Sequence, residues 1–434
     1  MRIAYIASGA GNMYCGSCLH DNALAAALIK LGHQVALVPT YTPIRTDEES
    51  VSLDHVFYGG INVYLQQKSS LFRHTPSVID AMFNSTALLK WVSRYTSSTD
   101  ARELGPLTVS VLQGEEGKQK KELYKLIEWL KEEYKPEIVH LNNSMFVGFA
   151  RDIKKELGRP VLCSLQGEDI FLEDLPEPYK SQALQTLKER AKDVDGFIAT
   201  SHYYAEFMAT YLDLPVSKID TVRLGLKLNG HGESGTVLHE EPYIVGYLAR
   251  ICPEKGLHLL VEAFDILVRK GLNVRLKVAG YLGKRDEKYF EGILQRISQS
   301  GWKDRFEYSG EVDRDTKIRF LNQLHVFSMP TTYREPKGIS VLEAMANGIP
   351  VVEPSHGAFP EMIDATGGGL LVKPNSASAL AEGLESLITN GKLREQLGRN
   401  GKVAVHRDFS DEKMAQETVR VYERYLMSAG ILPA

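Results

Sequence analysis

Cysteine is scarce in this chain of 434 residues, and its four thiols cannot form the disulfide framework of a small secreted fold. Such a count suits a reducing compartment. Long apolar runs are lacking too: no stretch approaches the roughly 18 to 20 uncharged apolar residues that a membrane span needs. The apolar opening Ile3 to Ala7 stops at Ser8-Gly9-Ala10-Gly11, short of a signal-peptide core, and reads as a first β-strand. The expectation is a cytoplasmic protein without a transmembrane segment. Nor is there an excess of either charge. The 51 Lys+Arg against 55 Asp+Glu leave a formal −4, which offers no global attraction to nucleic acid or anionic lipid. Any anionic ligand must therefore be held locally. With 43% hydrophobic and 24% charged residues the composition is globular, which sets aside disorder, collagen-like repeats and coiled-coil arrays. The length then predicts two large domains, at about 100 to 200 residues each.

What is present is alternation. Short apolar runs ending in Gly, Ser or Pro alternate with longer segments of helical period, the pattern of βα units around parallel sheets. In the first half the predicted strands are Arg2 to Ala7, Gln34 to Pro39, Asn62 to Leu65, Leu107 to Leu112, Ile138 to Leu141, Val161 to Leu165, Phe197 to Thr200 and Ile219 to Val222. Helices are predicted over Asn22 to Leu31 and Lys118 to Glu133, the latter with a charged, solvated face. The Gly-rich stretch Asn229 to Gly235 reads as a linker. After it the alternation restarts with Tyr243 to Leu248, Val274 to Ala279, Phe306 to Ser309, Val326 to Met329, Pro350 to Glu353 and Leu370 to Val372. Residues 41 to 110 are less regular and fit an insertion beside a ligand cleft. Two doubly wound domains bind ligands at the carboxyl ends of their strands, so a cleft between the domains, with closure around a substrate, is where chemistry is expected.

Three segments carry that chemistry. The first, Ser8-Gly-Ala-Gly11-Asn12-Met-Tyr-Cys-Gly16-Ser-Cys-Leu-His-Asp21, leaves the first strand and enters the first helix, where glycines let backbone and helix amides approach a ligand. It fails as a dinucleotide fingerprint: Tyr14 replaces the third glycine, and the second strand ends in Val38-Pro39-Thr40 without an acid for a ribose. Cys15-x-x-Cys18 invites a redox or metal reading. Two thiols do not fill a zinc site, and Cys163 and Cys252 lack ligand spacing, so packing of small loop residues near a ligand is preferred. His20 is either a ligand or a hydrogen-bonded histidine at a helix start.

The second segment, Tyr247-Leu-Ala-Arg250-Ile-Cys-Pro-Glu-Lys255-Gly256, places two cations around a turn that opens a helix, an anion site combining charge with directed donors. The third is Thr331-Thr-Tyr-Arg-Glu335-Pro-Lys-Gly338-Ile339-Ser340-Val-Leu-Glu343. Glu335 precedes a helix and can accept hydrogen bonds from sugar hydroxyls, Glu343 lies about one and a half turns inside it and can take a ribose diol, and the amides between them can face a diphosphate. Singly, the cations read as solvated loop residues and Glu343 as a surface acid. Together they read as a ligand site.

The E-x7-E pair Glu335 and Glu343, Gly338, the run Glu343-Ala-Met-Ala-Asn-Gly-Ile-Pro-Val-Val352 and the Arg250/Lys255 pair resemble a retaining glycosyltransferase of family 4. The resemblance extends to Leu31-Gly-His-Gln-Val35, Pro136-Glu-Ile-Val-His140, Asp195 to Ser201, and Phe409-Ser410 with the amphipathic segment to Leu426. It covers nearly everything except about 41 to 130. It implies an α/β GT-B fold of two Rossmann-like domains facing across a central cleft: residues 1–235, closed by a returning C-terminal helix over 411–434, and residues 236–410.

By residue, the resemblance implies that Arg250 and Lys255 neutralise the diphosphate of a nucleotide-sugar donor as it leaves. Glu335 would hold donor sugar hydroxyls, Gly338, Ile339 and Ser340 would offer backbone donors, Glu343 would bind ribose, and backbone near Val312 would meet the base. Gly11, Asn12 and Gly16 would shape the first-domain loop. The donor leans to UDP-glucose, the acceptor is a sugar or small-molecule hydroxyl, and no cofactor or metal takes part. Retention in the family is discussed as front-face substitution, with the leaving phosphate helping to deprotonate the acceptor. The chain departs from the family at Gln166-Gly167-Glu168-Asp169, where His is frequent at the first position; Gln offers a sugar a hydrogen bond but does not titrate. Glu168 and Asp169 are acceptor contacts or structural. Arg223-Leu-Gly225 replaces a Pro-Asn-Gly turn, and Pro336 stands where Gly is frequent. Asp193-Val-Asp195 precedes a strand and Asp313-Arg-Asp315 begins a helix, where Asp caps, so neither is read as a metal motif. The competing readings are a GT-B epimerase, a phosphorylase and a non-catalytic carbohydrate-binding protein.

Overall fold

The protein was analysed as a computed structural model, which describes residues 1–9, 16–53, 57, 101–233 and 241–433. It divides into two compact units, one of Met1–Gly225 with Asp411–Ala434 and one of Leu226–Ser410.

The first unit is built on six parallel strands: β1 (Arg2–Ala7), β2 (Gln34–Pro39), β3 (Ile138–Leu141), β4 (Val161–Leu165), β5 (Gly196–Ala199) and β6 (Ile219–Thr221), in the order β2-β1-β3-β4-β5-β6. Because successive side chains of a strand point to opposite faces, each strand feeds two cores. Ile3, Tyr5 and Ala7 join Leu24 and Leu28 of the Gly16–Lys30 helix and Met414, Tyr422 and Leu426 of the Asp411–Ser428 helix. Ala4 and Ile6 face the other way, toward Leu123, Phe146 and Phe149. The returning C-terminal helix is held by polar contacts as well: the Tyr422 hydroxyl lies 2.5 Å from Nδ1 of His140, and Arg424 pairs with Asp220.

The second unit repeats the design with β7 (Tyr243–Leu248), β8 (Val274–Ala279), β9 (Phe306–Tyr308), β10 (Val326–Phe327), β11 (Val351–Pro354) and β12 (Gly369–Val372). Its order is β12-β11-β10-β7-β8-β9, all parallel, the doubly wound arrangement whose strand order reverses between β7 and β10. In the first sheet the corresponding reversal lies between β1 and β3.

Two expectations change. Leu107 to Leu112 is not a strand. It ends the Ala101–Leu112 helix, which packs closely on the Tyr179–Arg190 helix: a Cβ on Gly105 would meet Cδ2 of Tyr179 at 2.6 Å. Thr108 through Leu112 are all buried, so the β-branched run reflects a helix enclosed by neighbours, where packing overrides propensity. Asn62 to Leu65 lies outside the described residues. The division of the units falls between Gly225 and Leu226, earlier than the Gly-rich stretch. The Arg314 guanidinium donates to the carbonyls of Lys227 and Asn229 at 2.6 and 2.8 Å, and Lys402 Nζ to that of Gly232 at 2.5 Å, so these residues are bound into the second unit. Among the described residues no helix is long and apolar enough to cross a membrane.

Candidate active site

The chain leaves β7 through Ala249 and Arg250 and turns at Pro253–Lys255. Gly256, at φ +74, then starts the Leu257–Arg269 helix. A Cβ on Gly256 would lie 1.8 Å from the Pro330 carbonyl oxygen, so only glycine lets this turn close onto the end of β10. Thr332 N donates to the Glu254 carbonyl at 2.9 Å and ties the two loops together. Lys255 and Glu335 therefore meet at the reversal of strand order.

The Lys255 ammonium is 2.6 Å from Glu335 Oε2 and 2.5 Å from the Tyr333 hydroxyl, which itself bonds the same Glu335 oxygen. The other carboxylate oxygen accepts from the amides of Gly338 and Lys337 at 3.2 and 3.3 Å. Glu335 is 4% exposed. Burial pushes its carboxyl up, but Lys255, Tyr333 and the Gly338 amide outweigh that and hold it at about 2. The site thus keeps a desolvated carboxylate ionised against an ammonium that has three N–H groups and two oxygen partners. Gly338, at φ +67, opens the Ile339–Ala346 helix, whose first turn presents the Ile339 and Ser340 amides. The Arg250 side chain is exposed, with its Nε 3.4 Å from Sγ of Cys252.

Glu343 sits inside that helix, buried, with its Oε1 2.5 Å from Lys317 Nζ. Val312 is buried and immediately precedes Asp313, whose side chain accepts from Thr316 N at 2.8 Å and caps the Arg314–Leu321 helix that carries Lys317. The other Asp-x-Asp pair is also structural. Asp195 takes Lys154 and the Val161 amide, and Asp193 takes Arg151. Among the described residues no group of three His, Cys, Asp or Glu is placed to hold a metal ion. Beside the pair lies Glu353, fully buried on β11, which among the described residues receives only the Met329 amide and feels the negative charge of Glu335; burial raises its carboxyl well above the usual range.

In the first unit the polar residues gather where β1, β3 and β4 end. Asp21 is fully buried and bonded to the Tyr5 hydroxyl at 2.8 Å, Nδ1 of His20 at 3.1 Å, and the side-chain amides of Gln166 and Asn142 at 2.7 and 2.8 Å. Gln166 also donates to the Asn142 carbonyl. Both Glu168 oxygens take backbone amides, those of Ser144 and Gln166 at 2.9 and 2.6 Å, and Asp169 takes the Tyr204 hydroxyl at 2.6 Å. Gly16 begins the first helix. Gly11 and Asn12 lie outside the described residues.

The structure brings Lys255, Glu335 and Gly338 into contact in the second unit, which also carries Arg250, Ile339, Ser340, Glu343 and Val312; in the first unit it joins Gln166 to Glu168, with Asp169 next in sequence and Gly16 at the start of the first helix. Sequence reasoning missed Tyr333, Lys317 and Asp21 as organising residues. Tyr333 lies within the third segment and Asp21 ends the first, but their partners are far away in sequence; Lys317 carries no local signal of its pairing with Glu343.

Two strand-order reversals, each with polar residues at the strand ends, and a buried Lys–Glu pair at a helix start define a doubly wound transferase scaffold of GT-B type. Residues 234–404 match the family described as Glycosyl transferases group 1, and residues 100–229 match Glycosyltransferase Family 4. The chain belongs to these family-4 glycosyltransferases. It is 30% identical over 231 residues to the capsular polysaccharide biosynthesis glycosyltransferase CapM of Staphylococcus aureus, covering 53% of this chain and 59% of that protein. The chain spans about half the length of the curated relatives it matches. Over whole chains, its fold is that of sucrose-phosphate synthase from Thermosynechococcus elongatus, with a TM-score of 0.71, 18% identity and coverage of 99% of this chain and 100% of that one. A similar match, with a TM-score of 0.67, 17% identity and coverage of 98% and 100%, is found with the Anabaena protein HepE in complex with UDP-glucose.

Proposed function

We propose that this chain transfers a hexose from a nucleotide-diphosphate sugar to a hydroxyl of a sugar or small-molecule acceptor, with retention and without a metal. The observation that carries this reading is the Lys255–Glu335 pair, set at the strand-order reversal beside the N-terminus of the Ile339–Ala346 helix. A nucleoside diphosphate is already a good leaving group, so the protein has mainly to position the reactants and stabilise the charge that develops. Lys255 and Arg250 neutralise the departing diphosphate together with the Gly338, Ile339 and Ser340 amides. Glu335 receives donor sugar hydroxyls, Glu343 the ribose, and the backbone at Val312 the base. On the first unit Gly11, Asn12, Gln166, Glu168 and Asp169 serve the acceptor, and Gly16 the loop beside the donor. Since both Glu168 oxygens already hold backbone amides, its part is to shape the β4 end, while Gln166 offers hydrogen bonds.

UDP-glucose is favoured as donor because HepE is known with it at matching fold, and cytoplasmic residence because four cysteines in 434 residues suit a reducing compartment. The test is turnover of UDP-, GDP- and ADP-sugars with mono- and disaccharide acceptors in excess EDTA, reading the product anomer by NMR. An α-configured donor giving an α-linked product under chelation is the expected result. Loss of turnover restored by Mn²⁺ contradicts the metal-free mechanism. Sugar interconversion without acceptor would identify an epimerase, and an absolute need for inorganic phosphate a phosphorylase.

A further inference from the structure

A donor sugar needs acceptors for its hydroxyls, and Glu335 has little capacity left. An ionised carboxylate offers about four lone-pair positions. Lys255 Nζ and the Tyr333 hydroxyl occupy Oε2, and the Lys337 and Gly338 amides occupy Oε1. A sugar hydroxyl reaches this carboxylate only by replacing one of those donors. A hexose offers several hydroxyls, so a further acceptor is called for within the same unit.

The loop after β11 carries one. Gly357, at φ +62, lies so close to Glu335 that a Cβ would meet its carbonyl oxygen and amide nitrogen at 2.5 and 2.6 Å, and Ala358 N donates to the same carbonyl at 2.8 Å. His356, one residue earlier, is thereby fixed next to Glu335 at the carboxyl end of the sheet, the end at which ligands bind. Its Nε2 lies 3.0 Å from the Thr331 carbonyl oxygen. A carbonyl only accepts, so Nε2 carries the hydrogen, and in the neutral ring Nδ1 is the bare acceptor. Phe359 meets the ring edge-on, with centroids 6.5 Å apart. Burial, helped by the charge of Arg334, lowers the imidazole pKa from 6.5 and keeps the ring neutral at pH 7, although the Thr331 carbonyl and Glu335 act the other way. The ring is half-buried, and Nδ1 has no hydrogen-bond partner among the described residues. A bare nitrogen of this kind suits a hydroxyl, which has a hydrogen to give, and not a diphosphate, which is itself an acceptor.

We infer that His356 is a sugar-binding residue of the second unit: its Nδ1 accepts a hydrogen bond from a hydroxyl of the donor hexose beside Glu335, and so separates a nucleotide sugar from the bare nucleotide. No bond is made or broken at the ring. The Thr331 carbonyl fixes its tautomer, and the close approach of Gly357 to Glu335 fixes its place.

The inference rests on the transferase reading, and the experiment separates the two. Calorimetry of the full chain at pH 7.5, without acceptor, compares UDP-glucose, GDP-glucose and ADP-glucose with UDP, GDP and ADP. Two variants of His356 divide the functions of its ring. His356→Gln keeps an amide near the place of Nε2, able to donate to Thr331, and leaves nothing at Nδ1. His356→Asn puts its oxygen where Nδ1 stands and gives up the Thr331 contact. In His356→Gln the affinity for the nucleotide sugar should fall about fivefold, the scale of one neutral hydrogen bond, with affinity for the free nucleotide unchanged. His356→Asn should keep most of the wild-type ratio between the two ligands. A His356→Gln protein that binds both ligands as the wild type does overturns the proposal, and so does an equal loss of sugar recognition in the two variants, which would trace the effect to Thr331. If neither variant folds, nitrogen NMR of the wild-type imidazole decides: the His356 Nδ1 signal should move with the nucleotide sugar and stay in place with the free nucleotide, and a signal that ignores the sugar contradicts the assignment. A wild type that binds none of the six compounds fails the transferase reading first, and this proposal with it.

Discussion

Lys255→Met keeps the aliphatic stem and removes the ammonium that faces Glu335 at 2.6 Å. The carboxyl then keeps Tyr333 and the Lys337 and Gly338 amides, but it has lost the charge that does most to lower its pKa from 4.5 to about 2. At about 1.4 kcal/mol per unit, that depression contributes about 3 kcal/mol to folding at neutral pH. Because the folded pKa lies below the unfolded one, the contribution is present above pH 4.5 and is lost as the pH falls through about 2. Lys255→Met should therefore destabilise the second unit by up to about 3 kcal/mol at pH 7, or about 6 to 12 °C in Tm for a unit of this size, with the deficit shrinking as the pH falls below 4.5. The assay is scanning calorimetry of the wild type, Lys255→Met, Glu335→Gln and the double variant across pH 3 to 8. An orphaned buried charge costs more than a pair removed whole, so the double variant should melt closer to the wild type than Lys255→Met does, while transfer is lost in both. If Lys255→Met melts within about 1 °C of the wild type at pH 7, or the double variant melts lowest, the buried pair does not hold the site as described.

Gly256→Ala should cost about 3 kcal/mol or more, because the added Cβ meets the Pro330 carbonyl at 1.8 Å, whereas Gly271→Ala, also at positive φ but with nothing within 4 Å, should cost about 1 to 2 kcal/mol; equal urea midpoints would contradict the close approach. Glu353 is buried with a raised pKa, so the stability linked to its protonation is present below pH 4.5 and lost as the pH rises. Glu353→Gln should thus match the wild type at pH 4 and exceed it at pH 8 in denaturant midpoint, and a less stable variant at pH 8 would show that the carboxyl is not held neutral. Tyr422→Phe should cost about 1 to 3 kcal/mol by leaving His140 Nδ1 buried without its partner. Burial lowers the His140 pKa to about 3, so the first unit should also lose stability as the pH falls below 6.5, and a midpoint flat between pH 7 and 5 in guanidinium titrations speaks against a neutral buried ring.

Much of this fold is legible because it is written locally. Hydrophobic alternation ending at Gly, Ser or Pro marks β1 to β4 and β7 to β12 within a residue or two, and Glu335, Gly338 and Glu343 stand at spacings that a strand, loop and helix dictate. What escapes local reading depends on distant partners. Leu107 to Leu112 looks like a strand until the Tyr179–Arg190 helix encloses it, and Asn229 to Gly232 looks like a linker until Arg314 and Lys402 bind its carbonyls. Lys317 looks like a surface lysine, and the ion pair that buries it joins two separate helices of the second unit. Asp21 follows the same logic, since its four partners come from β1, its own helix and the loops after β3 and β4.

The second unit is proposed to bind a nucleoside diphosphate through Lys255 and its neighbours. Isothermal titration of UDP, GDP and ADP into the wild type and into Lys255→Met tests it most directly. One nucleotide should bind the wild type, and the variant should bind it at least about tenfold more weakly, a loss of about 1.4 kcal/mol for one charged contact. Absence of binding by all three nucleotides, or equal affinity in the variant, would contradict the account.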